Sequence, residues 1–145
     1  MNISRILAAA ALAVLALPVC GQQMKTVNGM VINIGIVRAI DAEHSDAQHG
    51  VHKGGHGAGM EHIVVALAEE KGGARIADAE VSIEVKDPKG AVQKKPLMGM
   101  ITAGFPDYSE VFYFGWSGRY NVRVLIKRKG VAKPVDADFV VNRVL

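Results

Sequence analysis

The segment GRYNVRVLIKRK, residues 118–129, decides the fold class of this chain. From Tyr120 to Ile126 every second residue is apolar, and most residues between them are polar or charged. This two-residue period is typical of a β-strand with one buried face, and it does not fit the 3.6-residue period of an amphipathic helix. Tyr120 follows a glycine turn at Gly118, which resembles the corner tyrosine of β-sandwich folds.

The same pattern continues on both sides of this segment. Turn signals such as Asp87-Pro88-Lys89-Gly90 and a second turn over 104–107 separate the apolar stretches, and no stretch has helical periodicity. The chain therefore predicts an all-β, immunoglobulin-like antiparallel β-sandwich of about seven strands. The expected strands are 30–37, 62–68, 79–85, 92–102, 109–114, 119–129 and a last one opened by Lys133-Pro134.

The first 21 residues have the features of a secretory signal peptide. Arg5 supplies a positive charge before an apolar run over 6–17 that ends at Pro18. A run of about a dozen residues is too short for a membrane-spanning helix, which needs roughly 20. Cleavage after Gly21 is expected; the alternatives are a lipoprotein acylated on Cys20 and an uncleaved anchor. All three of these cases predict a periplasmic or otherwise extracytoplasmic protein.

Residues 22–145 are expected to form one domain without disulfides, because Cys20 is the only cysteine. The net charge is +3, and it falls to +2 without Arg5, the only charged residue of the signal. This charge is too small and too dispersed to indicate a nucleic-acid partner.

Histidine is confined to one part of the chain, a Gly-rich loop at about 41–59 and the residues just after it. Imidazole is the commonest metal-ligating side chain, and thioether sulfur binds soft ions such as Cu(I). The stretch therefore indicates a metal site, although a solvated, disordered tract would have the same composition. Its candidate ligands are His44, His49, His52, His56, Met60 and His62.

Three later residues are further candidates. Met98 and Met100 flank Gly99 and would face the same side of a strand, while Asp107 follows Phe105-Pro106 in a predicted turn. Each has a plainer explanation: the methionines could fill gaps in the core, and the aspartate could bond turn backbone. Likewise, His62 could be a surface histidine at a strand edge.

Enzymatic motifs are missing from the sequence. It has no Gly-x-Ser-x-Gly nucleophile turn, no phosphate-binding Gly-rich loop with Lys and Ser/Thr, and no His-Glu-x-x-His. A nucleophilic cysteine is excluded if Cys20 is cleaved or acylated. We therefore expect a protein that is not an enzyme, with a three-histidine metalloenzyme as a remaining alternative.

The order of motifs resembles the periplasmic iron-transport protein family, copper- and iron-binding β-sandwich proteins that accompany bacterial ferrous-iron permeases. The opening strand after Asn28-Gly29, a strand-initial histidine at Glu61-His62-Ile63, and the closing strand match in order. Leu97-Met98-Gly99-Met100 followed by Pro106-Asp107-Tyr108 is similar to the family's Met-Pro-Met and Pro-His-Tyr stretches. Gly118-Arg119-Tyr120-Asn121-Val122 is similar to its Gly-Lys-Tyr-Lys-Val strand.

The resemblance implies that His62 and Met100 are metal ligands and that Asp107 replaces a second histidine. A carboxylate there would shift preference from Cu(I) towards Cu(II) or iron. Val64 stands where the family has an acidic residue, and no later histidine exists. His52 or His56 could supply the lost ligands.

We therefore expect a periplasmic metal-binding protein that captures and delivers copper, iron, or both. The family resemblance alone implies a homodimer and an inner-membrane metal permease as partner. Binding should weaken below about pH 6.5, because a protonated imidazole cannot ligate a metal. The alternative is a non-metal envelope accessory module with a disordered His-rich loop.

Overall fold

A computed structural model describes residues 22–38 and 57–145 of the chain. The predicted signal peptide and most of the predicted histidine loop, with His44, His49, His52 and His56, lie outside these residues. Within them the chain forms only β-strands and turns, and no helix long and apolar enough to cross a membrane is present. The nine strands of this part are β1 (Gln22–Val27), β2 (Met30–Arg38), β3 (Met60–Glu69), β4 (Ala79–Lys86), β5 (Val92–Pro96), β6 (Met98–Thr102), β7 (Phe105–Tyr113), β8 (Gly118–Arg128) and β9 (Val135–Arg143).

The strands form two antiparallel sheets that enclose one apolar core. The five-stranded sheet has the order β1-β2-β3-β7-β6, and the four-stranded sheet has the order β5-β4-β8-β9. Their inward side chains alternate with outward ones, as a two-residue period requires. The predicted β-sandwich is confirmed. Its largest fully buried side chains are Tyr120, Phe112, Phe114, Phe139, Ile32, Ile34, Ile63, Leu67, Ile83 and Ile126.

Tyr120 fixes the corner that leads into β8. Its hydroxyl donates to the carbonyl oxygen of Trp116 at 3.0 Å and accepts the Trp116 N–H at 2.9 Å. The ring is fully buried, with its centroid 4.7 Å from that of Phe114. The corner tyrosine suggested by the sequence therefore has the hydrogen bonds expected of it.

The single strand predicted over 92–102 is wrong. The chain leaves the four-stranded sheet at the end of β5 and enters the five-stranded sheet as β6. Leu97 lies between the two strands, is buried, and donates its N–H to the Val81 carbonyl at 2.8 Å. Burial of this one side chain between the sheets turns one apparent strand into two edge strands.

The predicted turn over 104–107 is also wrong. The turn lies at Ala103-Gly104, whose φ angles are 49° and 83°, and β7 already begins at Phe105. Asp107 is consequently a strand residue that pairs with Met100 across the β6–β7 ladder. Strand β1 was not predicted, because most of its side chains are exposed and show no buried alternation.

Candidate metal centre

His62 lies in the interior of the five-stranded sheet. Strand β3 runs between β2 and β7, and the neighbouring Ile63 faces the core with no exposure. His62 therefore points to the outer face, yet it is only 9% exposed. Its Nδ1 lies 3.3 Å from the Ser109 hydroxyl, and Ser109 is buried as well. The alternative of a solvated histidine at a strand edge does not fit this position.

The two methionines lie on the same outer face. Met98 stands directly opposite Ser109, and Met100 directly opposite Asp107. Directly opposed residues of an antiparallel pair project from one face of the sheet. Met98 is 56% exposed and Met100 is half-buried, and neither belongs to the core. The alternative that these methionines fill gaps in the core is therefore wrong.

The pairing register fixes how far these groups are from one another. His62 pairs with Val111, four residues along β7 from Asp107. With strands about 4.8 Å apart and about 3.4 Å per residue, the Cα atoms of His62 and Met100 lie about 17 Å apart. The same spacing puts the Cα of Met98 about 12 Å from that of His62. The structure thus brings Met100 to Asp107 and His62 to Ser109, with Met98 between the two pairs.

Asp107 has a partner that the sequence did not reveal. Its Oδ1 lies 3.9 Å from the Arg75 guanidinium, and its side chain is 14% exposed. Burial raises the pKa of the Asp107 carboxyl above 3.8, while Arg75 and a hydrogen bond with Thr102 act in the opposite direction. The carboxylate is therefore partly desolvated and already faces one positive charge.

Arg75 is held in place by the backbone around it. It forms an isolated bridge with Ala68, where β3 extends past the end of its pairing with β7. The next residue, Ile76, is buried and donates its N–H to Leu67 at 2.9 Å, and the Tyr108 hydroxyl donates to the Ile76 carbonyl at 3.0 Å. No local motif predicts this contact, because the two charged residues are far apart in sequence.

Met60 and Glu61 precede His62 on the same strand, and they differ in the face to which they belong. Met60 begins β3 two residues before His62, shares its face and is half-buried. Glu61 faces the opposite side, where its carboxylate pairs with Arg143, so it cannot join His62 around one ion. In residues 22–38 and 57–145, no group of three or more His, Cys, Asp or Glu side chains is arranged to hold a metal. A site built from this part of the chain needs thioether sulfur, and His52 and His56 lie outside it.

The fold is similar to that of several solved proteins, although the sequence matches no family model and no curated protein at a significant level. FetP of uropathogenic Escherichia coli, expressed in the periplasm, is 17% identical with a TM-score of 0.66, over 86% of this chain and 94% of FetP. Copper-reconstituted P19 of Campylobacter jejuni is 16% identical with a TM-score of 0.63, over 84% of this chain and 93% of P19. A copper-bound variant of FetP has the same fold.

A third neighbour widens the range of proteins that share this architecture. A DUF4426 family protein of Pseudomonas aeruginosa is 16% identical with a TM-score of 0.59, over 85% of this chain and 94% of that protein. At these identities the likeness concerns the fold, and one fold can carry unrelated functions. This chain therefore shares the β-sandwich architecture of FetP and P19, over 86% and 84% of its length, respectively.

Proposed function

We propose that this chain is an extracytoplasmic metal-binding protein that captures and delivers copper, with iron as the second candidate. Copper-bound forms of FetP and P19 support the choice of copper, because both proteins have a fold similar to that of this chain. The signal-like N-terminus supports the compartment. A permease partner and a homodimer rest on the family resemblance alone.

The observation that carries this proposal is the outer face of the five-stranded sheet around Ser109. An imidazole that is 9% exposed, two thioethers and a carboxylate project from this one face. Buried polar groups normally belong to a hydrogen-bonded network or a site. Metal-binding histidines commonly have one ring nitrogen held by a second group, as Ser109 holds Nδ1 of His62. A metal would then be bound through Nε2.

The register predicts which donors act together. Met98 is nearer to His62 than Met100 is, whereas Met100 lies against Asp107. We propose that Met98 is the soft ligand that shares an ion with His62 across Ser109, that Met100 stands beside this site as a further thioether donor, and that His52 or His56 completes the shell. We propose that the bound ion is transferred to a partner rather than used in catalysis.

The test is a titration of Cu(I), Cu(II) and Fe(II) into protein beginning at residue 22, with each histidine followed by NMR. We expect one ion per chain and a shift of the His62 ring signals. A variant with His62→Ala and Met98→Ala should lose most of the affinity, whereas Met24→Ala, an exposed methionine on β1, should retain it. Equal copper affinity in the double variant would contradict the proposal.

A non-metal accessory module of the cell envelope is the alternative function. It is favoured by the distance of about 17 Å between the Cα atoms of His62 and Met100, and by the guanidinium that already faces Asp107. Absence of retained metal in the purified, untagged protein, together with no NMR shift on titration, would favour this module over the metal carrier.

A further inference from the structure

Four of the described strands lie at the edges of the two sheets, and β6 differs from the other three. Strands β1, β5 and β9 each contain at least one charged residue, and β5 also ends in a proline, whereas β6 reads Met-Gly-Met-Ile-Thr. Charged side chains and proline on an edge strand normally prevent it from pairing with another chain. The side chains of Met98 and Ile101 on β6 are 56% and 60% exposed. In the described part of the chain, β6 is therefore the edge least protected against a further strand.

The neighbouring edge of β7 is closed by side chains from β5. Past the end of its pairing with β6, Tyr113 donates its N–H to the Gln93 side-chain oxygen at 2.9 Å and accepts from the Gln93 amide at 2.8 Å. The Lys95 ammonium donates to the Val111 carbonyl at 2.6 Å. These side chains occupy the place in the sheet that a longer β6 would fill, so the backbone groups of this part of β7 have partners.

The same hydrogen bonds show which backbone groups of β6 face outward. Val111 and Tyr113 turn their bonding groups away from β3, and the alternate residues of β7 before them do the same. Those alternate residues stand opposite the first, third and fifth residues of β6 and bond to them. The second and fourth residues, Gly99 and Ile101, therefore direct their N–H and C=O groups to the open edge. Two donors and two acceptors at this spacing are the pattern that an added antiparallel strand pairs with.

We propose that β6 binds an extended segment of a partner protein, which joins the five-stranded sheet as a further strand. The segment would be apolar or β-branched where it meets the exposed side chains of Met98 and Ile101. Past Met98, the Lys95 ammonium fills the place next to β7, so the added strand would lie one strand spacing away, at about 4.8 Å. A carboxylate of the partner at that position would pair with this ammonium. The inference does not depend on the proposed metal binding.

A second copy of this chain fits the edge less well. Antiparallel pairing of two β6 strands centred on Met100 would bring the Ala103-Gly104 turn of the second copy beside Lys95. This turn offers no carboxylate, and after it the chain folds back as β7. A partner segment that continues straight past Met98 and has an acidic residue there would satisfy both the open edge and the ammonium.

The test uses isotope-labelled protein beginning at residue 22 and a synthetic peptide of alternating valine and threonine with blocked ends. The peptide has one glutamate near its C-terminus, which an antiparallel strand places past Met98. Amide hydrogen exchange, followed by NMR, should show fast exchange at Gly99 and Ile101 in the free protein. The bound peptide should slow exchange at these two residues by about tenfold or more and leave Met24, on the edge strand β1, unchanged.

Two pairs of variants examine the backbone edge and the charge separately. Ile101→Pro removes one outward N–H from an edge strand and should weaken peptide binding on the order of tenfold, whereas Ile101→Val should retain it. A peptide with glutamine in place of glutamate should bind about threefold more weakly. Lys95→Gln keeps a side-chain donor for Val111 and should abolish this difference, whereas Lys129→Gln, in the β8–β9 turn, should preserve it.

Three results would overturn the inference. One is equal binding of a peptide with a central proline, which also serves as the test if Ile101→Pro does not fold. Another is slowed exchange at a different edge strand with none at Gly99 and Ile101. The third is protection of these two amides that rises with protein concentration without peptide, which would assign the edge to a second copy. None of these results concerns copper, and failure of the metal titration would overturn the proposed function while this inference stands.

Discussion

Replacing Ser109 by alanine should weaken metal binding while leaving the fold nearly intact. Ser109 is 2% exposed and its hydroxyl lies 3.3 Å from Nδ1 of His62. Loss of one neutral hydrogen bond costs about 1 kcal/mol of unfolding free energy. Loss of the group that orients a ligand histidine typically lowers metal affinity by about 10- to 100-fold, or roughly 1.4 to 2.8 kcal/mol.

Two measurements separate these effects. Urea unfolding, followed by circular dichroism, gives the free energy of unfolding of wild type and variant without metal. Competition with a chromophoric Cu(I) chelator gives the affinity of the folded proteins. The expected result is a small loss of stability together with a much larger loss of affinity.

Ser82→Ala is the control for this substitution. Ser82 lies on β4 between Val81 and Ile83, which face the core, so its side chain projects from the outer face of the other sheet. Ser82→Ala should change neither the free energy of unfolding nor the Cu(I) affinity appreciably. If Ser109→Ala binds Cu(I) within about twofold of wild type, then Ser109 does not orient a ligand and our assignment of His62 is wrong.

Two further predictions concern stability and pH. Tyr120→Phe removes both hydrogen bonds to Trp116 and should lower the unfolding free energy by about 1 to 3 kcal/mol in urea titrations; no measurable change would contradict the structural role of this hydroxyl. Because burial raises the folded-state pKa of Asp107, the native protein binds more protons here than the unfolded chain, and stability from this group falls as pH rises from 3.8 through that pKa. Asp107→Asn should therefore gain stability relative to wild type over that pH interval in metal-free unfolding experiments, and a relative loss would show that the ion pair with Arg75 outweighs burial.

Local sequence patterns were sufficient to predict a strand wherever one face of that strand is buried against the core. The alternation over 120–126 predicted β8 correctly, since Tyr120, Val122, Val124 and Ile126 are all buried. The pattern was insufficient at the sheet edges. Polar β1 has no buried face to reveal it, and residues 92–102 look continuous although burial of Leu97 divides them between the two sheets.

The candidate ligands themselves could be predicted from the sequence, but the residues that contact them could not. The residue types, and the two-residue spacing of Met98 and Met100, predicted donors on one face, and both methionines do lie on the face of His62. The neighbours of those donors could not be predicted. Ser109 contacts His62 across 47 residues, and Arg75 reaches Asp107 only because strand pairing brings them together.

The sequence by itself determined the all-β class, the alternation of buried and exposed side chains, and the set of residues able to bind a metal. These depend on chemistry and on the two-residue period of extended backbone, which are local properties. Only the tertiary structure decided the pairing register of the strands. The register determines which residues stand next to each candidate ligand, and the tertiary structure also places the Arg75 guanidinium against the Asp107 carboxylate. Register depends on which strands become neighbours and on the burial of side chains such as Leu97, and both arise from packing the whole chain at once.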